Sequence, residues 1–401
     1  MTENLIDRPA PSAADLERWL QSDRLARPQR LANLRARMAE EGVGAYFGVR
    51  RENIRYLTGF DLADGEEKVA GYSGQFLVTA DSLVILADSR YTVQAREQAP
   101  EARLEQVYND IFERWPELLA SLGGPNRLAV EAGFVSHAMW GKLAEASPDV
   151  EFVPAEGWVE ALRQVKEPAE LERVAAACAV ADHALERLLP SIRAGVTEHD
   201  LALQLEWEMR THGAEALAFD VAVLGGPRAA LPHGSPGARP IREGEVLLID
   251  FGAQVCGYRS DMTRTLFVGQ PTAHDLEIYQ LVARAQQEAI DAIAHGLAEG
   301  ERPSGRAIHI VARDVIAAGG HGDHFGHGLG HGIGLATHEL PSLGLTAADT
   351  PLPSPTVFSV EPGVYLDDVT GVRIEDLILL DAEAGRLDRL TLFPREVTVV
   401  G

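Results

Sequence analysis

The sequence predicts an α/β N-terminal domain followed by an α+β C-terminal domain built as a pseudo-two-fold repeat. Three observations lead there. Its 401 residues exceed what one ordinary core organises. Strand-like and helical segments alternate through the first third or so of the chain, as in an α/β unit. Beyond that, two helices lead into a pair of strands carrying one acid each, and the same layout then comes a second time.

Residues 1–12 are polar and hold two prolines, which predicts a flexible arm. A helical pattern begins near Ala13 (Leu16, Trp19, Leu20) and resumes after Pro28 with Leu31, Leu34 and Met38. Strands are expected at Gly44–Val49, Gly74–Thr79, Leu83–Ala87 and near Leu128–Val130, with a helix at Thr92–Gln98. No Gly-rich phosphate loop follows the first strand, so nucleotide binding is unsupported. The junction falls in Glu156–Pro168, giving an N-terminal domain over 13–158 and a C-terminal domain over 159–401. There KEPAELERV starts a helix, with proline in the first turn and acids at the positive N-terminal end. Helices are predicted at 168–189, 198–212, 272–295 and 304–318. VLLIDFGAQV and DMTRTLFVG form one strand pair, joined through Cys256–Ser260, and VFSVEPGVYL with GVRIEDLILL forms the other.

With 36 basic and 60 acidic residues the net charge is −24, which argues against nucleic acid and against an anionic membrane surface. No run of 18 apolar residues occurs, and the acidic N-terminus has no apolar signal core, so a soluble cytoplasmic protein is expected. Cys178 and Cys256 sit in apolar surroundings and read as small core residues.

Four acids emerge from apolar strands: Asp250 after VLLI, Asp261 on the return strand, Glu361 after VFSV, and Glu375 within VRIEDLILL. A carboxylate in such a place is expensive unless paired or bound to metal. HGLGHGIGLATHELP adds His327, His331 and His338 among glycines that permit close backbone approach. Four carboxylates and one imidazole suit two divalent ions, Mn²⁺ foremost, with Zn²⁺ or Co²⁺ also fitting.

These motifs, with NIRYLTGF at 53–60, come in the order of the pita-bread metallopeptidases, and the chain resembles their proline-specific branch of prolidases and aminopeptidase P. The resemblance implies a creatinase-like N-terminal domain with a mixed sheet and a pita-bread catalytic domain. It implies dinuclear hydrolysis of the Xaa-Pro bond at a peptide N-terminus by a hydroxide shared between the ions. On that pattern Asp261 and Glu375 bridge the two ions. Asp250 holds one, while His331 and Glu361 complete the other. Glu361 also shuttles the proton, His233 and His338 assist catalysis, and His327 lines the proline side. Arg373, two before Glu375, orients a ligand or meets a substrate carboxylate. A homodimer is expected, with the arm and the insert 61–74 as candidate contributors to self-association.

A dipeptidase gains from a cation at the product-side carboxylate. Arg50 and Arg51, just before NIRYLTGF, are the candidates for this, which favours Xaa-Pro dipeptides over the longer peptides of an aminopeptidase P. A metal-free creatinase and a non-catalytic module on the same fold both conflict with the complete ligand set. A methionine aminopeptidase conflicts with the large N-terminal domain. His183, His199, His212, His274, His295 and His309 fall in helical stretches and read as ordinary surface or core residues, and His321 and His324 precede the motif.

Overall fold

A computed structural model describes residues 9–62 and 72–401. Most of the expected arm and most of the 61–74 insert lie outside the described residues. The chain divides into two compact units, Leu20–Arg163 and Gln164–Gly401, the latter grouped with the residues up to Trp19. Helix α1 (Ala13–Glu40) keeps Pro28 within it, one helix where the proline suggested two segments.

The N-terminal unit is built on a six-stranded sheet. Its strands are β1 (Ala45–Gly48), β2 (Gln75–Thr79), β3 (Leu83–Ala87), β4 (Arg103–Gln106), β5 (Arg127–Glu131) and β6 (Glu151–Ala155). The order is β4-β3-β2-β1-β5-β6. Pairs β1/β2 and β2/β3 are antiparallel and the others parallel, so the sheet is mixed. Helices α2 (Arg51–Thr58), α3 (Thr92–Gln98), α4 (Ile111–Ser121), α5 (His137–Ala146) and α6 (Trp158–Arg163) complete the unit. Phe47, Leu77, Trp115 and Val130 share its core, and fully burying such side chains contributes about 1.5–3 kcal/mol each.

NIRYLTGF forms α2 and its stop at Gly59. Asn53 is wholly buried there. Its amide donates to Glu131 (2.7 Å) and Glu160 (2.8 Å) and accepts from Arg163 (2.8 Å). Residues Trp158–Arg163 therefore belong with this unit, since Glu160 and Arg163 satisfy a buried amide that would otherwise be costly.

In the C-terminal unit, α7 (Pro168–Leu188) starts with the reciprocal cap Glu167/Glu170. Helix α8 (Glu198–Thr211) is capped by the Thr197 hydroxyl. Then come β7 (Ala216–Leu217), β8 (Ala222–Gly225), β9 (Val246–Phe251), β10 (Ala253–Val255), β11 (Tyr258–Arg259) and β12 (Met262–Val268). The second half has α9 (Ala273–Ala298), α10 (Gly305–Ala318), β13 (Gly330–Gly332), β14 (Glu339–Leu343), β15 (Thr356–Val360), β16 (Gly363–Leu366), β17 (Thr370–Arg373) and β18 (Asp376–Asp381). Strands β19 (Arg386–Arg389) and β20 (Val399–Val400) follow.

The repeat is explicit in the pairing. Strands β9 and β12 are antiparallel partners separated by the small hairpin β10–β11. Strands β15 and β18 are antiparallel partners separated by the hairpin β16–β17. These hairpins interrupt what the sequence presents as continuous strand pairs. The main sheets are ordered β20-β12-β9-β8 and β14-β13-β15-β18-β19. Alternation along β9 splits its side chains between two cores: Leu247, Ile249 and Phe251 pack with α7 and α8, whereas Val246 and Leu248 pack with α9, α10 and the second sheet. Asp250 shares the face of Val246 and Leu248 and so is directed toward the second half. Cys178 and Cys256 are buried, as their apolar settings predict.

Candidate metal centre

Each half delivers its acids at a strand end. Asp250 is the penultimate residue of β9, opposite Thr263 on β12 and Ala222 on β8. Asp261 lies just before β12, Glu361 just after β15, and Glu375 in the break between β17 and β18. The main chain joins the halves here, because Glu375 N–H donates to the Thr263 carbonyl (3.1 Å); within the second half, Glu361 N–H donates to that of Leu329 (2.8 Å). His331 sits in β13 between two glycines. A Cβ at Gly330 would lie 1.9 Å from the Ser359 carbonyl oxygen, and one at Gly332 would lie 2.2 Å from that of Leu340. Only glycine lets this strand lie so close to its neighbours.

All five residues line one cavity of about 780 Å³. Asp261, His331 and Glu375 each offer one ligand atom, and these atoms lie within 4.8 Å of one another. His331 Nε2 is 3.3 Å from Glu361 Oε1 and 3.7 Å from Asp261 Oδ2. His331 Nδ1–H donates to the Gly332 carbonyl (3.1 Å), which directs Nε2 to the acids. Ser359 Oγ donates to Glu361 Oε1 (3.0 Å), and Thr263 Oγ1 donates to Glu375 Oε2 (2.7 Å). Asp250 Oδ1 and Glu375 Oε1 are buried with no hydrogen-bond partner among the described residues.

Such orphaned oxygens fit a cation, and so does the charge state. Burial, then the charges of Glu375, Asp250 and Glu361, push the Asp261 carboxyl well above its usual range. Burial, then Glu361 and Asp250, do the same to Glu375. Asp250 is also raised by burial, with Arg373 opposing. Burial works against charge on Glu361 as well, but the His331 hydrogen bond and charge hold its pKa at about 2. His331 is the counterpart: burial opposes its protonation, yet the hydrogen bond and charge of Glu361 raise it to about 9. Four carboxylates facing one imidazole and one guanidinium leave negative charge that divalent cations would neutralise. Metal ligation needs these carboxylates and the imidazole deprotonated, and the raised pKa values of Asp261, Glu375 and His331 let protons compete, so divalent-metal affinity is expected to fall as pH falls. Calorimetric titration at about pH 6 and about pH 8 would show weaker binding and more proton release at the lower value.

The remaining predicted residues fall into two groups. His233, His327, His338 and Arg373 line the same cavity. The His338 ring lies tilted against that of His331 with centroids 4.0 Å apart, and burial together with the charge of that neighbour keeps its pKa down. His327 donates through Nδ1–H to the Gly328 carbonyl (2.7 Å) and accepts at Nε2 from the Tyr365 hydroxyl (2.9 Å); burial lowers its pKa. Arg373 is buried and donates to Asp250, to Tyr365 Oη (2.8 Å) and to Thr263 Oγ1 (2.9 Å). Arg50 and Arg51 belong to the N-terminal unit. The Arg50 guanidinium engages Glu160 (2.9 Å) and Glu52 (3.0 Å) there, and Arg51 opens α2.

Sequence reasoning passed over several residues. His199, read as an ordinary helix residue, lines the cavity from α8. Tyr365 links His327 to Arg373. Arg264, one residue after Thr263, donates to the carbonyls of Thr263, Glu375, Phe393 and Pro394 and to Asp376. The available signal was a charged residue inside the apolar run TRTLFV, matched by Asp376 directly after Glu375.

The match to the metallopeptidase family M24 profile covers residues 172–382, and that to the creatinase/prolidase N-terminal domain covers 30–165. The chain belongs to metallopeptidase family M24. It is 33% identical over 369 residues to an Xaa-Pro dipeptidase of Pyrococcus furiosus, spanning 92% of this chain and 99% of the relative. Among solved structures it superposes on an Xaa-Pro dipeptidase from Bacillus anthracis (TM-score 0.83, 33% identity, 93% of this chain and 100% of that one). It is also similar to an X-Pro aminopeptidase from Thermotoga maritima (TM-score 0.81, 33% identity, 92% and 99%). This M24 metallopeptidase thus has the creatinase-type N-terminal domain and pita-bread catalytic domain that its motifs indicate, and its family implies a divalent metal. None of its described helices is long and apolar enough to cross a membrane.

Proposed function

We propose that this chain hydrolyses the bond between an N-terminal residue and proline, with a preference for Xaa-Pro dipeptides. The observation that carries the reading is the convergence of Asp250, Asp261, His331, Glu361 and Glu375 on one cavity. These residues, Asp261 and Glu375 among them, would hold two divalent ions, Mn²⁺ foremost. Ions held there polarise a carbonyl and make water nucleophilic near neutral pH.

The chain's own groups supply positioning and proton transfer. Glu361, ionised at neutral pH, accepts a proton at its carboxylate from the water whose oxygen bonds to the scissile carbonyl carbon, and delivers it to the proline nitrogen as the C–N bond breaks. His338 is neutral at that pH and can donate a hydrogen bond to the reacting carbonyl oxygen. The Tyr365–Arg373 link fixes Asp250 on one side and His327 on the other. His233 lies on the exposed wall, where it meets the substrate. The deciding assay compares Xaa-Pro with Xaa-Pro-Xaa cleavage by purified protein with Mn²⁺. Turnover that survives exhaustive chelation would remove the reading.

The preference for dipeptides rests on the Xaa-Pro dipeptidases among the relatives and on Arg50 or Arg51 as the cation for a product-side carboxylate. Cleavage of longer peptides is the second reading, favoured by the likeness to an X-Pro aminopeptidase. Arg50→Ala is expected to lower dipeptide cleavage by about tenfold or more while affecting tripeptides much less. Equal losses would assign Arg50 to the Glu52–Glu160 network of its own unit alone. The reading includes a cytoplasmic homodimer, which light scattering of the purified protein tests.

A further inference from the structure

The cavity has a second zone away from the acids. Helix α8 presents Ala202, Leu203 and Glu206 to it, with His199 one turn earlier. The spacings of three, four and seven residues put these side chains on one helix face. Beside them the cavity is lined by the segment Phe219–Asp220–Val221, which leads into β8, the strand against which α8 packs. Ala222, the first residue of β8, pairs directly with Asp250. Asp220 is two residues from that pair, about 7 Å along an extended chain. This wall therefore begins beside the acid–imidazole set and extends away from it.

The wall combines two properties. Leu203 and Phe219 offer apolar surface, while Glu206 and Asp220 offer carboxylates with no hydrogen-bond or ion-pair partner among the described residues. The guanidinium lining the cavity, that of Arg373, is committed to Asp250, Tyr365 and Thr263. The zone thus fits a side chain with a methylene stem and a cationic head, and repels an acidic one.

We propose that Glu206 and Asp220 select substrates whose first residue is lysine or arginine. The proposal rests on the Xaa-Pro reading and names its substrate class. The stem of the first residue lies along Leu203 and Phe219, and its ammonium or guanidinium meets the two carboxylates.

The test measures kcat/KM of the metal-loaded, full-length enzyme on Lys-Pro, Arg-Pro, Leu-Pro and Glu-Pro. The parent is expected to favour Lys-Pro and Arg-Pro over Glu-Pro by at least about tenfold. Glu206→Gln and Asp220→Asn should each lower the Lys-Pro to Leu-Pro ratio by about fivefold, as for one partly exposed charge pair. Glu206→Lys should move the preference toward Glu-Pro. Because the readout is a ratio within one preparation, partial loss of folded enzyme does not affect it. Unchanged ratios overturn the proposal. So does an equal loss on all four substrates, which would mean that the carboxylates hold the α-ammonium common to them. If Leu-Pro is cleaved and the ratios do not move, only the selectivity falls. If no Xaa-Pro peptide is cleaved, the peptidase reading falls and takes the selectivity with it.

Discussion

Glu375→Gln is expected to lower kcat/KM by more than about a thousandfold, equivalent to about 4 kcal/mol of transition-state stabilisation, while making the metal-free protein more stable. The substitution keeps size and shape, and the amide oxygen can still accept from the Thr263 hydroxyl, so the change is one of charge. Burial and the charges of Glu361 and Asp250 raise the Glu375 pKa well above its unfolded value. The raised pKa is therefore a cost to the metal-free fold at neutral pH, and that cost shrinks as pH falls through the raised pKa toward the unfolded value. Glutamine removes it. The metal-free variant should melt above the metal-free parent near pH 7, and the gap should close on acidification. Added Mn²⁺ should then stabilise the parent, because only the native state binds it, and leave the variant little changed. A variant that melts lower without metal, or keeps its turnover, would make Glu375 a structural acid.

Arg264→Met is expected to cost about 3–5 kcal/mol of stability, the penalty for leaving a buried charge without its partner. Arg264 is 1% exposed and spends its donors on four carbonyls and on Asp376, itself fully buried. Asp376 would keep Thr391 (2.7 Å), Gln286 (3.0 Å) and the more distant Arg389 and Arg395 (3.8 Å each) but lose its one hydrogen-bonded cation among the described residues. For a unit of this size the melting temperature should fall by about 10 °C. Pairing the change with Asp376→Asn removes the stranded charge, and the double variant should recover part of the loss. A double variant no better than the single one would place the cost in the severed carbonyl bonds instead.

The acids were legible because carboxylates at the ends of apolar runs such as VLLID and VFSVE break an otherwise simple burial pattern. His331 was legible because the flanking glycines signal close backbone approach, and the structure has the Ser359 and Leu340 carbonyls just there. The long helices of the catalytic domain followed from start signals and periodicity, as with the first-turn proline and the acids of KEPAELERV that open α7. The small hairpins β10–β11 and β16–β17 were not legible, since strands of two to four residues have too few positions to show alternation. Nor was the part played by His199: a histidine on a helix gives no sign of what faces it until β8 is placed opposite. Arg264 and Asp376 were hidden for a related reason. Each looks like a misplaced charge until two segments about a hundred residues apart are brought together.

The hydrogen bond from Glu375 to the Thr263 carbonyl marks a seam, and its position has a consequence for when the enzyme becomes able to act. Asp250 and Asp261 come from one repeat; His331, Glu361 and Glu375 come from the other. Neither repeat carries a full set, and the link between them closes a loop of more than a hundred residues, the kind of contact whose entropy must be met before it gives any return. On the proposed ligand set, a chain still emerging or half assembled would have no hydrolytic centre, and peptide-cleaving capacity would switch on only when the two repeats dock.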